Sequence, residues 1–315
     1  MTMAESLTVK GGKGSALSGR SSARGRKQTL ISWGFVLPFM LVFFTFTVLP
    51  VLASIVLSFT NFNMVQVPDW VGFDNYVRLF LEDDIFHTAV KNTLFFALLT
   101  GPVGYILCFV FAWMINGFNP KLRAVLTLLF YAPSMMGNMA VIWQIIFSGD
   151  QYGLLNSVLI QMGFISEPIQ WLTDTATITP VVVVVVLWAS LGTSFLAFIA
   201  GLQNIDGSLL EAAAIDGVRN RWQELYFIVL PSMKPQLMFG AVMSISGSFG
   251  IGAAITQLVG FPSTDYVVHT LVHHLEDYGT LRYQMGYASA IATLLFAIMI
   301  LSNKLVQKII ARVGS

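Results

Sequence analysis

Charge is what this chain has least of. Only 10% of its 315 residues are Asp, Glu, Lys or Arg, where a soluble domain averages about 25%. A chain this poor in charge and 56% hydrophobic is neither disordered nor built to hold nucleic acid. Nor is it an ordinary soluble enzyme, because a core of this size cannot hide that much apolar surface from water. Cysteine is almost missing too: the lone Cys108 excludes an internal disulfide and a thiolate metal cluster. No Walker A pattern occurs. The nearest run, Gly11-Gly-Lys-Gly-Ser15, lacks the required spacing, so any ATP that drives this protein is held by another chain. Gly250-Ile-Gly252 sits in an apolar window with no strand before it and is no dinucleotide fingerprint. Residues 1–27 have no apolar run of the kind a cleavable signal needs, and they read as a disordered basic tail.

A bilayer is the solvent that suits a mean hydropathy of +0.73. Six charge-free windows are long enough to cross one: 28–68, 92–120, 124–149, 175–205, 235–264 and 283–303. They predict an all-α membrane protein with a tail (1–28), a first span (29–60), an outer loop (61–87) and a core (88–308). Within the core, spans are expected near 92–116, 124–148, 178–203, 236–258 and 284–303. The stretch 151–166 is too short and too polar to span. Its Leu155, Val158, Leu159 and Met162 follow helical spacing, which predicts an amphipathic helix outside the bilayer. Pro38, Pro50, Pro102 and Pro133 fall inside windows and are expected to kink helices rather than break them.

The connections differ in charge. Segments 1–27, 121–123, 206–234 and 304–315 hold 14 of the 17 Lys and Arg residues. Segments 69–91, 150–174 and 265–282 hold Arg78, Lys91 and Arg282 against 11 of the 16 acids. The positive-inside rule then places both termini in the cytoplasm, with Arg24, Arg26 and Lys27 holding the first span.

Spans without ionisable groups argue against proton pumps, voltage sensors and ion-coupled carriers. A neutral polar solute suits them better. Asn138, Trp143, Gln144, Trp188, Ser190, Thr193, Ser246 and Ser248 offer amides, hydroxyls and aromatic faces, and Phe249 adds another. Helix-to-helix packing explains any one of them equally well. Gly240, Ser244, Ser248 and Gly252 recur every fourth residue, a stripe that lets membrane helices approach closely. Gly247 and Gly250 widen it. In the loop 265–282, His269 and His273 are spaced to share a helix face beside His274, Glu276 and Asp277. A metal site, a docking surface and a solvated helix all suit that pattern. Glu82-Asp83-Asp84 reads as a solvated outer turn.

The loop 204–234 is long, cytoplasmic by charge and patterned. Ser208 and Glu211 are spaced as a capping box, predicting a short helix from Leu209 to about Asp216 with Gly217 as its C-cap. Asp216 is placed to pair with Arg219 or to cap locally. A second helix is expected from Asn220, with Gln223 as its capping partner and Pro231 at its end. Exposed Leu, Ala and Ile on the first helix need burial against something.

Glu211-Ala-Ala-Ala-Ile-Asp-Gly217 followed by Ile228-Val-Leu-Pro231 resembles the EAA loop of type I ABC importer permeases. The ten residues at 218–227 are one more than that family commonly has. Softer stretches resemble the carbohydrate branch, the maltose and multiple-sugar type. These are Ser58-Phe-Thr-Asn61-Phe, Val71-Gly-Phe-Asp-Asn75-Tyr, Asn92-Thr-Leu, Tyr152-Gly-Leu-Leu-Asn156, Trp171-Leu-Thr-Asp and Met285-Gly-Tyr-Ala-Ser289. The resemblance implies the type I importer fold with six spans in the bacterial inner membrane. It implies no catalysis by this chain, and ATP and magnesium on two ATP-binding subunits. It further implies a second permease and an extracytoplasmic sugar-binding protein as partners, in contact with membrane lipid and without nucleic acid. Ser208, Leu209, Glu211, Ala212, Ala213, Ile215, Asp216, Gly217, Leu230 and Pro231 would then form the coupling contact. Two other readings are a type I importer permease for a polyol, glycerol phosphate or peptide, and a membrane enzyme with a metal at His269, His273 and Glu276.

Overall fold

The computed structural model describes residues 32–135 and 140–311. The chain divides after Ala53 into two units. The described residues of the first belong to the helix α1 (Ser32–Leu57), which continues past Ala53. The second unit begins with a short helix α2 (Asp74–Leu81) and the long α3 (Asp84–Asn116). Then come α4 (Pro120–Met135), α5 (Ala140–Ile146), α6 (Leu154–Gln161), α7 (Thr175–Ala189), α8 (Thr193–Gln203) and α9 (Gly207–Ile215). They are followed by α10 (Arg221–Ser232), α11 (Lys234–Phe249), α12 (Gly252–Val259), α13 (Leu271–Glu276) and α14 (Met285–Ala311). No strand occurs among the described residues.

Among the described residues, three helices are long and apolar enough to cross a membrane: Ser32–Leu57, Asp84–Asn116 and Met285–Ile309. Two further candidates are bent pairs, α7 with α8 at 42° and α10 with α11 at 81°. The window 124–149 is helical as α4 and α5 on either side of 136–139, which lie outside the described residues. Two windows expected as single helices are therefore broken. The first breaks at Ser190–Gly192. The second breaks at Gly250–Ile251, so Gly252 belongs to α12 and not to the helix that carries Gly240, Ser244 and Ser248.

Prolines account for three local widenings of the helices. π-turns occupy Phe44–Val48, Leu99–Val103 and Leu225–Val229. Pro50, Pro102 and Pro231 each clash with the carbonyl four residues back, which lies in or beside one of these turns. An extra residue in the turn relieves the clash and keeps the helix continuous. Pro231 thus lies within α10, and the sharp bend comes after it, at Met233.

α3 begins eight residues before the window expected for it, because Asp83 caps it by accepting from the Phe86 N–H at 2.9 Å. It rises about 1.5 Å per residue and so measures about 50 Å. One end meets α2, α13 and the start of α14 in a cluster of Leu79, Phe86, Leu271, Tyr287 and Ile291. Its second half packs on α8 and α11 through Cys108, Ala112, Phe195, Phe198 and Leu237. α7, α12 and α5 pack together around Ile178, Val182, Ile255 and Leu258. The acidic connections 69–91 and 265–282 therefore share one end of α3, and the basic connection 206–234 lies at the other.

Three asparagines pin the loops at the acidic end. Asn75 Nδ2 donates to the Ser58 and Thr60 carbonyls, both at 2.8 Å. Asn92 Nδ2 donates to the Val267 and His269 carbonyls at 2.9 Å. Asn156 is fully buried and accepts from Trp171 Nε1 at 2.8 Å while donating to Ser148, Asp150 and Ile169 carbonyls. These asparagines lie in the stretches that carried the carbohydrate-permease resemblance. Their chemistry is loop closure: one amide satisfies several backbone groups that no helix can.

The histidine loop is not a solvated helix. His269, His273 and His274 are 1–2% exposed, and Asp83 is 9% exposed, so the acidic turn is only partly solvated. Asp83 Oδ2 accepts from Tyr287 Oη at 2.7 Å and faces His274 Nε2 at 3.0 Å. His274 Nδ1 faces His269 Nε2 at 3.3 Å. His273 Nδ1 accepts from the Thr270 N–H, and its Nε2 faces the Gly252 carbonyl, each at 3.0 Å. This pattern assigns neutral rings with the proton on Nε2. His269 Nδ1 is left buried without a partner. No group of three potential metal ligands forms among the described residues, so His269, His273 and Glu276 are not brought together as one set, and both His273 nitrogens are engaged by protein groups.

Candidate functional site: a hydroxyl-lined cavity and an exposed loop

Two features stand apart. The first is a cavity of about 310 Å³ where the helix breaks converge. Thr100 comes from the π-turn of α3. Ser190, Gly192, Thr193 and Ser194 come from the break between α7 and α8. Ser244, Gly247, Ser248 and Ile251 come from α11 and its end. Close packing holds this wall together. A Cβ on Gly240 would meet the Phe198 ring at 2.5 Å, and one on Gly104 would meet Ser190 Oγ at 2.8 Å.

The cavity has a definite polarity. Thr100 Oγ1 donates to the Phe96 carbonyl at 2.7 Å, Ser190 Oγ to Leu187 at 2.6 Å and Ser248 Oγ to Ile245 at 2.7 Å. Ser194 Oγ donates to the Gly240 carbonyl at 3.1 Å, which leaves Ser244 Oγ to donate to Ser194 at 3.2 Å. Those five hydroxyl protons are committed to the protein. The oxygens of those five hydroxyls can accept from a solute, and the Thr193 hydroxyl beside them can donate or accept. No charged residue lines it.

The expected path residues fall elsewhere. Trp143 sits edge-on to Trp188 at 5.2 Å and stacks on Phe147 at 5.6 Å. Gln144 Nε2 donates to the Gln257 and Leu258 carbonyls, closing the end of α12. Ser246 is exposed on another face of α11. Phe249 is buried with Ala97 and Ile245 against Leu295 and Ile298. Asn138 lies outside the described residues. Ser190, Thr193 and Ser248 do line the cavity, with Thr100, Ser194 and Ser244 beside them. Ser244 and Ser248 had been read as packing residues, and they serve both roles, because a small hydroxyl permits close approach and still presents an oxygen.

The second feature is the loop between α8 and α11. Asp206, not Ser208, caps α9, accepting from the Ser208 N–H at 2.9 Å. That hydrogen bond holds the Asp206 carboxyl below its usual range. The helix consequently starts two residues earlier than a Ser208 cap requires, and the capping box with Glu211 does not form. At the other end Gly217 takes φ +96°. The Val218 N–H reaches the Ala213 carbonyl and the Gly217 N–H reaches Ala214, which is a Schellman closure. Asp216 makes no ion pair with Arg219; among the described residues Arg282–Asp277 is an ion pair, and His274–Asp83 is a hydrogen bond from a neutral ring. Asn220 Oδ1 caps α10 by accepting from the Trp222 and Gln223 N–H groups, and Gln223 Oε1 reaches back to the Arg219 N–H. Of α9 only Ala213 is buried. Ser208, Leu209, Glu211, Ala212, Ile215 and Asp216 are exposed, Leu230 is half-buried and Pro231 is exposed. Ile215 is 86% exposed and Trp222 70%.

A helical membrane protein with a polar cavity at its helix breaks and a capped, outward-facing helical loop at one end is a transport component rather than an enzyme. Residues 85–313 match the model of the binding-protein-dependent transport system inner membrane component, and the chain belongs to that family, the ABC transporter permeases. The probable ABC transporter permease protein YesP of Bacillus subtilis is 33% identical over 87% of this chain and 88% of its own length. The lactose transport system permease protein LacF of Rhizobium radiobacter is 30% identical over 91% and 94%. The arabinooligosaccharides transport system permease protein AraP of Bacillus subtilis is 29% identical over 87% of each. A crystal structure of a bacterial ABC transporter involved in the import of alginate has the same fold. Its matching chain gives a TM-score of 0.74 at 23% identity, over 92% of this chain and 99% of that one.

Proposed function

We propose that this chain is the permease subunit of an ATP-driven importer of neutral sugars. The carrying observation is the uncharged cavity with hydroxyls in its lining. A saccharide offers many O–H donors and acceptors and needs no countercharge. A phosphate or carboxylate would find no countercharge there. Relatives named for lactose and arabinooligosaccharide transport support the same class.

In this reading the basic end of α3 and both termini face the cytoplasm. α9 docks on an ATP-binding subunit, two of which hold ATP and magnesium. Its exposed Leu209 and Ile215 supply apolar contact, and Glu211 a polar anchor. A second permease completes the path, and a sugar-binding protein delivers substrate at the acidic end. Transport follows from differential binding: ATP and the loaded binding protein each favour the outward-open state.

The test uses the assembled transporter in proteoliposomes. A Cβ at Gly247 meets nothing within 4 Å, so Gly247→Trp places its ring in the cavity without an immediate clash. It is expected to bring uptake of a neutral oligosaccharide to background while the complex still assembles. Gly217→Pro cannot adopt φ +96°, and it and Glu211→Lys are expected to abolish sugar-stimulated ATPase activity. Full uptake by Gly247→Trp would remove the cavity from the path. Full stimulation in both loop variants would remove α9 from the coupling.

A further inference from the structure

α9 has few attachments to the rest of the chain. Ala213 is its one buried residue, and the element it packs against is the π-turn of α10. Movement imposed on α9 leaves backward through residues 204–206 into α8 and forward through α10. One route is covalent: α10 continues through Met233 into α11, the helix that carries Ser244 and Ser248 on one wall of the cavity. The opposite wall carries Thr100, which belongs to α3. α3 packs along α8 and α11, and tying its cytoplasmic end directly to α10 takes a contact of its own.

The structure places one there. Arg221, the first residue of α10, lies with its guanidinium 5.5 Å from the centre of the Trp113 ring in the last turn of α3. The Trp222 and Trp113 rings are 5.1 Å apart. The same guanidinium fills the space over Gly117, where a Cβ would meet Arg221 Nη2 at 2.5 Å. A cation at this point also faces the negative end of the α3 dipole. Asn220 fixes the start of α10 and so aims Arg221.

We propose that Trp113, Arg221 and Trp222 form a clasp that makes the cytoplasmic end of α3 move with the coupling loop, so that both walls of the cavity respond to the ATP-binding subunits. Arg221 is a positioning residue: it touches neither sugar nor nucleotide. The proposal rests on the coupling role given to α9 above.

The experiment measures sugar uptake and ATP hydrolysis in the purified, reconstituted transporter, comparing Arg221→Gln, Trp113→Leu, their double variant and Arg221→Lys. Sugar transported per ATP hydrolysed is expected to fall about threefold or more in each of the first two. The double variant is expected to fall no further, since either change opens the same clasp. Arg221→Lys keeps a cation over the ring and is expected to retain most of the ratio. An unchanged ratio in Arg221→Gln would overturn the proposal. So would a proportional loss of uptake and hydrolysis, additive losses in the double variant, or failure of Arg221→Gln to assemble. Gly217→Pro is run in parallel. If it too transports normally, the coupling role of α9 has failed. If it uncouples while Arg221→Gln does not, the clasp alone has failed.

Discussion

Asp83→Ala is expected to destabilise this permease more than any other single side-chain truncation in its outer loops. The carboxylate accepts from Tyr287 Oη, the Phe86 N–H and His274 Nε2 at 2.7–3.0 Å. It ties α3 to α13 and α14 across more than 190 residues of sequence. Removing it strands three buried donors, and each buried donor left unpaired costs about 1–3 kcal/mol. Asp83→Asn keeps one acceptor and is expected to lose less. Thermal unfolding in nanodiscs, followed by tryptophan fluorescence, measures both. Equal midpoints for Asp83→Ala and wild type would show that the network carries no stability.

The same network dictates an acid response. Burial pushes all three histidines down, His269 to about 3. Their folded pKa values lie below the unfolded value near 6.5, so the unfolded chain binds protons first. Their contribution is complete above that pH and is lost as pH falls through it. One unit below, His269 has forfeited about 1.4 kcal/mol, and His273 and His274 act in the same direction. Burial raises the Asp83 carboxyl, but its hydrogen bonds and His274 outweigh that and hold it below its usual value. Its share is therefore lost only at lower pH still. The unfolding midpoint is expected to drop markedly between pH 7 and pH 5. A flat midpoint across that interval would contradict the neutral, buried assignment.

The second large effect is expected at Gly286. Its N–H donates to the Phe62 carbonyl at 2.9 Å, and a Cβ there would land on the Thr60 carbonyl oxygen. Most glycine contacts in this protein meet the ends of side chains, which can swing aside. This one meets backbone that Asn75 also holds at Ser58 and Thr60. Gly286→Ala must therefore part α14 from the 58–62 segment. Overpacking costs about 1–3 kcal/mol when side chains can adjust, and the upper end or beyond is expected here. Yield of the membrane-inserted, monodisperse protein measures it, with Gly247→Ala as the neutral control because its Cβ meets open space. Equal yields for the two variants would show that the 58–62 segment can yield.

What sequence could and could not tell follows the range of the interactions. Helix content came from charge-free windows, which are local. The C-terminal closure at Gly217 and the cap at Asn220 are decided within six residues, and both were legible. The α9 N-cap was misassigned because Asp206 and Ser208 are both good caps two residues apart, and pattern alone does not choose between them. Breaks at Ser190–Gly192 and Gly250 were missed because a hydropathy window averages over them. The cavity was half visible: its hydroxyls were noticed, but aromatic residues with stronger chemistry drew the path toward Trp143 and Phe249. The buried histidine network was not legible. Asp83 and His274 look solvated in their own neighbourhoods, and only their meeting across the fold makes them interior.

Cys108 is fully buried on α3, with its thiol directed at the Ser190 carbonyl 3.5 Å away. Reagents that reach only exposed thiols have nothing to modify on the native chain. The protein thus provides its own silent background for chemical mapping. A single cysteine introduced at Trp70, in the acidic-end loop, or at Ile215, on α9, becomes the one reactive handle. Its labelling by a membrane-impermeant maleimide from one side or the other reads the orientation of α3 directly, without first stripping the native thiol.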